Sequence, residues 1–124
     1  MNVNSDGAKP IYVQIAQWIE SEIVNHHFEA NEKVYSQYQL ADMFTINPAT
    51  AAKGLAILVD ENILYKKRGL GMFVTEQARE LILQKRKNQN LKQIVSDLVN
   101  EAYLLGVSES ELIEMVKVAN KEKG

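Results

Sequence analysis

Beyond its first residues the chain places apolar positions in a helical rhythm, interrupted by polar and glycine-containing stretches. Ile11, Ile15, Trp18, Ile19 and Ile23 recur at three- and four-residue spacing and predict an amphipathic helix to about Val24. Pro10 suits its first turn, because the ring fixes φ near the helical value where an N–H would have had no partner. Residues 26–33 break the rhythm. Ser36 followed by Gln39 forms a capping box, and Leu40, Ala41 and Phe44 give the short helix behind it an apolar face. Thr45 and Ile46 make a tight turn. Asn47 then caps a third helix with Pro48 in first position, Ala51, Leu55, Leu58 and Val59 as its inward stripe and Asn62 as its stop.

Two short β-prone runs follow, Ile63-Leu64-Tyr65-Lys66 and Met72-Phe73-Val74-Thr75, around a Gly-containing loop. They predict a hairpin whose loop carries Lys66, Lys67 and Arg68 in direct succession. Helix, helix-turn-helix and hairpin in that order define a winged helix-turn-helix over residues 10–75. Residues 1–9 are polar and read as a flexible arm. Residues 76–124 read as a helical tail. Its first helix has neither Pro nor Gly up to Leu105 and carries Leu91, Ile94, Val95, Leu98, Val99 and Ala102 at helical spacing. Gly106 ends it as a left-handed cap, and Ser108 with Glu111 forms a second capping box. The last helix has Leu112, Ile113, Met115, Val116 and Ala119 on its apolar side. Polar residues 84–90 stand out as a flexible or partly exposed segment.

The expected fold class is therefore mainly α with a small β-hairpin wing (α+β): a winged helix-turn-helix followed by a C-terminal helical hairpin. Two helices alone cannot hide the tail's apolar surface from water. Leu91, Ile94, Val95, Leu98, Val99, Ala102, Leu112 and Val116 are accordingly expected to join two copies into a homodimer.

Composition narrows the function. A chain of 124 residues accommodates one domain with a short appendage, which disfavours a large substrate-binding enzyme. With 46% hydrophobic and 24% charged residues it is an ordinary globule and not a disordered chain. The absence of Cys removes disulfides and thiolate chemistry and agrees with a reducing, cytoplasmic address. No apolar run approaches the ~20 residues that span a bilayer, so no membrane partner is expected. A net charge of -2 gives no global attraction to nucleic acid, so any DNA contact has to come from a local basic patch.

Such a patch is present. The second helix of a helix-turn-helix enters the major groove and offers its N-terminal residues to base edges, here Asn47, Ala49, Thr50 and Lys53. Ser36, Gln37 and Tyr38, at the start of the preceding helix, are placed to meet phosphates. Lys66, Lys67 and Arg68 supply the wing's cations, with Gly69 and Gly71 permitting close backbone approach and Arg68 suited to the minor groove. The surface expected from these residues is one for double-stranded operator DNA. No catalytic residue, metal site or cofactor is expected: His26 and His27 are adjacent and diverge, and no third ligand accompanies them. Glu20, Glu22, Asp60 and Glu61 read as solvated helix faces, while Trp18 and Tyr65 read as core. Gly54, inside the third helix, is expected to cost about 1 kcal/mol against Ala.

At these positions the sequence resembles the GntR family of bacterial transcription regulators. Pro10-Ile-Tyr-Val-Gln-Ile-Ala is similar to the family's opening P-[LI]-Y-x-Q-[IL], and Tyr35-Ser36-Gln37-Tyr38-Gln39-Leu40-Ala41 to its P-S-x-x-x-L-A. Ile46-Asn47-Pro48-Ala49-Thr50 resembles the I-N-P-N-T of the YtrA subgroup, and Arg68-Gly69-Leu70-Gly71-Met72-Phe73-Val74 the R-G-x-G-x-F-V wing. The segment from Ala102 to Leu112 is similar to that subgroup's A-x-x-L-G-x-S-x-x-E-L tail. The chain departs from the pattern at Tyr35, Gln37, Tyr38, Ala49, Gly54 and Leu55. The resemblance implies a homodimeric repressor that acts on an inverted-repeat operator, often of its own operon beside ABC-transporter genes. A tail of this size leaves little room for a dedicated ligand domain, so a small-molecule effector would have its place in a pocket at the dimer junction. The alternative is a winged-helix adaptor that binds proteins and reads no DNA sequence.

Overall fold

The computed structural model describes residues 9–124; of the expected N-terminal arm, residues 1–8 lie outside the described residues. Three helices open the chain: α1 (Ile11–Val24), α2 (Gln37–Phe44) and α3 (Pro48–Asp60). Strands β1 (Leu64–Lys67) and β2 (Gly71–Val74) form an antiparallel pair, and α4 (Ala78–Lys85) follows. A π-helical turn (Arg86–Leu91) then leads into α5 (Lys92–Leu104) and α6 (Glu109–Lys123). The chain divides into two compact units, the first ending at Gln84 and the second being Lys85–Gly124. The architecture is the expected mainly helical one with a two-stranded wing.

The local signals act as their chemistry requires. Ser36 Oγ accepts from the Gln39 N–H at 3.1 Å while Gln39 Oε1 accepts from the Ser36 N–H at 2.8 Å, closing the capping box. Thr45 turns the chain in the left-handed region at φ 54°. Asn47 Oδ1 accepts from the Ala49 N–H at 2.7 Å, with Pro48 in the first helical position. Asn62 ends that stretch at φ 65°.

In the first unit α1 and α2 both pack on α3. Ile15, Ile19, Leu40, Leu58, Ile63, Leu64, Val74 and Ile82 are its largest fully buried side chains. Ala78 and Ile82 bring α4 into this core. Trp18 lies against the core, edge-on to Phe44 at 5.1 Å and stacked on Tyr35 at 6.1 Å. Glu20, expected on a solvated face, is buried at 2% exposure. It is paired, since no buried side-chain polar atom among the described residues lacks a partner.

In the second unit, the expected uninterrupted helix contains the π turn. Residues 86–91 offer no buried side chain to hold an α-helical register, and the turn overlaps the polar segment singled out above. Gly106, at φ 71°, closes α5, and the Val107 N–H returns to the Ala102 carbonyl at 2.9 Å. Ser108 accepts from the Glu111 N–H at 3.2 Å, which makes half of the expected capping box.

Candidate nucleic-acid interface

The candidate recognition surface grows out of α3. Ala51, Gly54, Leu55 and Leu58 face inward, which leaves Ala49, Lys53 and Ala56 exposed one turn apart on the other side. This outer row carries one charge and otherwise only methyl groups, so the helix can approach a base-pair edge without a bulky side chain. Thr50 is half-buried beside it. Asn47 is exposed, but its Oδ1 is committed to the helix cap, which leaves the amide nitrogen as its free hydrogen-bonding group.

Lys53 is held in place. Its ammonium sits 4.1 Å from the centre of the Tyr12 ring on α1, within cation–π range. Gly54 makes that approach feasible. A Cβ there would stand 2.8 Å from the Tyr12 carbonyl oxygen and 3.3 Å from Ile15 Cβ and Cγ2. The expectation that Gly54 is merely a cost against Ala is therefore corrected: the α1–α3 contact has no room for a methyl group. Sequence reading missed Tyr12 as a partner of Lys53, because nothing local in either segment announces the contact.

The wing differs in register from expectation. Lys66 pairs with Met72 and Lys67 with Gly71, so both lysines belong to β1 and only Arg68, Gly69 and Leu70 form the turn. The reversal is tight because Gly69 adopts φ 78° and the Leu70 N–H bonds the Lys67 carbonyl at 2.9 Å. Alternation along the strand then sends Lys66 and Lys67 to opposite faces. Lys67 lies over the aromatic pair of its own face, 4.8 Å from the Phe73 ring and 5.8 Å from that of Tyr65. Tyr65 is not a core residue as expected. It stacks on its cross-strand partner Phe73 at 5.8 Å and donates to Asn31 Oδ1 at 2.9 Å.

A third segment joins this sheet. Lys33 bridges to Phe73, the Val34 N–H donates to the Met72 carbonyl at 2.9 Å and the Asn31 N–H to that of Val74 at 2.7 Å. A groove of about 230 Å³ lies where this segment, the start of α2 and the wing meet. Ser36, Gln37 and Tyr38 line it together with Lys33, Lys66 and Gly71. Structure thus brings together the expected phosphate-facing residues and part of the wing, and it adds Lys33. The sequence offers no local signal for that residue, which sits in a stretch without helical or strand periodicity.

The cations of this part of the chain are concentrated on few elements. Every lysine and arginine between Pro10 and Thr75, namely Lys33, Lys53, Lys66, Lys67 and Arg68, stands on α3, the wing or the segment bridged to it. Two acidic residues of α1 and its following loop hold the histidines: His26 pairs with Glu29 and His27 with Glu22. Among the described residues no group of three or more side chains is arranged to hold a metal ion, and no helix is long and apolar enough to cross a membrane.

The residues expected to join two copies are mostly on the surface of the single chain. Leu91 (52% exposed), Ile94 (61%), Val95 (50%), Leu98 (40%), Val99 (51%) and Val116 (51%) are open to water. Ala102 is buried and Leu112 half-buried.

A capped recognition helix, a glycine-turned wing and a helical tail define a winged helix-turn-helix protein. No family model matches the sequence, but solved structures do. A GntR-family transcriptional regulator from Bacteroides thetaiotaomicron is 30% identical, with a TM-score of 0.78 over 93% of this chain and all of that one. A GntR-family regulator from Listeria monocytogenes is 35% identical, with a TM-score of 0.71 over 90% of this chain and 96% of that one. This chain belongs to the GntR family of transcription regulators, a family of regulators and not of enzymes. Among curated relatives, the repressor NagR of Bacillus subtilis is 33% identical over 84 residues, which are 68% of this chain but only 35% of NagR. The Bacillus subtilis repressor YtrA is 26% identical over 117 residues, 94% of this chain and 89% of that protein. AraR(DBD), solved in complex with operator ORE1, is 28% identical, with a TM-score of 0.54 over 58% of this chain and 88% of that one.

Proposed function

We propose that this protein is a homodimeric repressor that binds an inverted-repeat operator, possessing no catalytic activity. The observation that carries the reading is the clustering of cations: in a chain of net charge -2, every lysine and arginine of residues 10–75 stands on α3, the wing or the segment bridged to it. A surface that concentrates positive charge against the balance of its own chain fits a polyanion. In this reading Asn47, Ala49, Thr50 and Lys53 meet base edges in the major groove. Ser36, Gln37, Tyr38 and Lys66 meet phosphates, and Arg68 with Gly69 approaches the minor groove beside Lys67 and Gly71. The AraR–operator complex supports the assignment by analogy of fold and sequence.

The dimer follows from energetics. Covering the exposed half of each apolar side chain on α5 and α6 stabilises by about 1 kcal/mol, and two winged units tethered on one palindrome add their binding free energies. The tail, residues 76–124, would then fix half-site spacing. A small-molecule effector would act by binding one dimer geometry better than another.

The test is fluorescence-anisotropy binding to the DNA upstream of the protein's own operon, with excess nonspecific competitor and a salt series. Lys53→Ala is expected to change sequence preference. Arg68→Ala is expected to weaken all sequences and to reduce the salt slope by about 0.9 per copy, about 1.8 for the dimer. If neither variant alters binding, the surface is misassigned. Binding that vanishes equally for every sequence as salt rises would favour the protein-adaptor reading.

A further inference from the structure

We propose that Lys33 is a phosphate-contacting residue of this protein, held in position by the wing, with Gly71 as the gap that admits its side chain. This rests on the DNA-binding reading above and adds to it a cation that belongs to none of the recognition-helix, α2 or hairpin segments.

The backbone of Lys33 is fixed. It bridges to Phe73, and the bonds from the Asn31 and Val34 N–H groups, with that of the Val74 N–H to the Glu32 carbonyl at 2.9 Å, tie both flanks to β2. Its side chain lies over the wing. A Cβ on Gly71 would stand 2.8 Å from Lys33 Cε, 3.6 Å from Nζ and 3.8 Å from Cδ, so the end of the lysine occupies the space a larger residue would fill. Gly71 itself has φ 117°, a conformation L side chains rarely adopt.

The surroundings name the ligand. Lys33 lines the groove with Lys66 and with the polar side chains Ser36, Gln37 and Tyr38, and no carboxylate lines it. Among the described residues Lys33 forms no ion pair, unlike His26, His27 and Lys117. Two ammonium groups beside hydroxyl and amide donors, without an acidic partner, suit an oxygen-rich anion. On the flank of a recognition helix that anion is the sugar–phosphate chain of the bound duplex. A phosphate contact positions the protein and carries no sequence information of its own.

The test uses Lys33→Met, which keeps the apolar stem over Gly71 and removes the charge. Wild type and variant are titrated onto one duplex, selected by the wild-type protein from a random-sequence library, between 50 and 200 mM salt. Each lost phosphate contact lowers the slope of log affinity against log salt by about 0.9, so two copies lower it by about 1.8, and the wild-type advantage shrinks about twelvefold over that range. Base preference stays unchanged, and so does the thermal melt. Gly71→Ala is expected to weaken binding by displacing the ammonium, and to do so less in the Lys33→Met background. An unchanged slope, or an altered base preference, overturns the role of Lys33 while leaving the DNA-binding reading intact. Strict additivity of the two substitutions overturns the role of Gly71. If the wild-type protein selects no duplex, both the Lys33 assignment and the reading beneath it fall.

Discussion

Substituting Gly54 by Ala sets two effects of opposite sign against each other. By helix propensity alone, Ala in the interior of α3 stabilises by about 1 kcal/mol. The tertiary contact opposes it. The added methyl would lie 2.8 Å from the Tyr12 carbonyl oxygen and 3.3 Å from two carbons of Ile15. A backbone oxygen cannot swing aside as a side-chain end can, so α1 has to move away from α3. Overpacking of this kind costs roughly 1–3 kcal/mol. Taking about 2 kcal/mol for the overlap against about 1 for the propensity, the net loss is about 1 kcal/mol, a fall in Tm of roughly 4–8 °C for a domain of this size. Trp18 is the single tryptophan of the chain and packs between Tyr35 and Phe44 of the first unit, so its fluorescence reports the melting of that unit directly. A rise in Tm would show that the helices accommodate the methyl group and would refute the reasoning.

Removing the ring beneath Lys53 by Tyr12→Leu is expected to lower DNA affinity about two- to fivefold for each subunit of the dimer, the equivalent of a cation–π contact of about 0.5–1 kcal/mol per copy, whereas Tyr12→Phe retains it; equal losses in both variants would point to the hydroxyl instead. Asn47→Ala is expected to cost about 1 kcal/mol of stability through loss of the α3 cap, measured by urea denaturation, while Asn47→Asp keeps most of it. Val95→Glu together with Leu98→Glu is expected to convert a dimer into a monomer by analytical ultracentrifugation, with the Trp18 melt unchanged; a dimer that persists would place the joint elsewhere.

Much of this protein was legible in its sequence because its element boundaries are set by local chemistry. The Ser36–Gln39 box, the Asn47-Pro48 start, the left-handed stops at Asn62 and Gly106 and the apolar spacing of Ile15, Ile19 and Ile23 act within a turn or two of the chain. Such signals operate whatever the rest of the molecule does. The class of fold and the basic wing followed from their order. What tertiary structure alone decided are the contacts between segments distant along the chain. Whether Gly54 is a defect or a necessity depends on how near α1 comes. Whether Lys66 and Lys67 lie in a loop or on a strand depends on their pairing with Met72 and Gly71. Tyr65 left the expected core because its ring found Phe73 and its hydroxyl found Asn31. Lys33 became part of the candidate interface only through its bridge to β2. Caps and periodicity are encoded in neighbouring residues, whereas steric fit and strand register are properties of surfaces that exist only once the chain has folded.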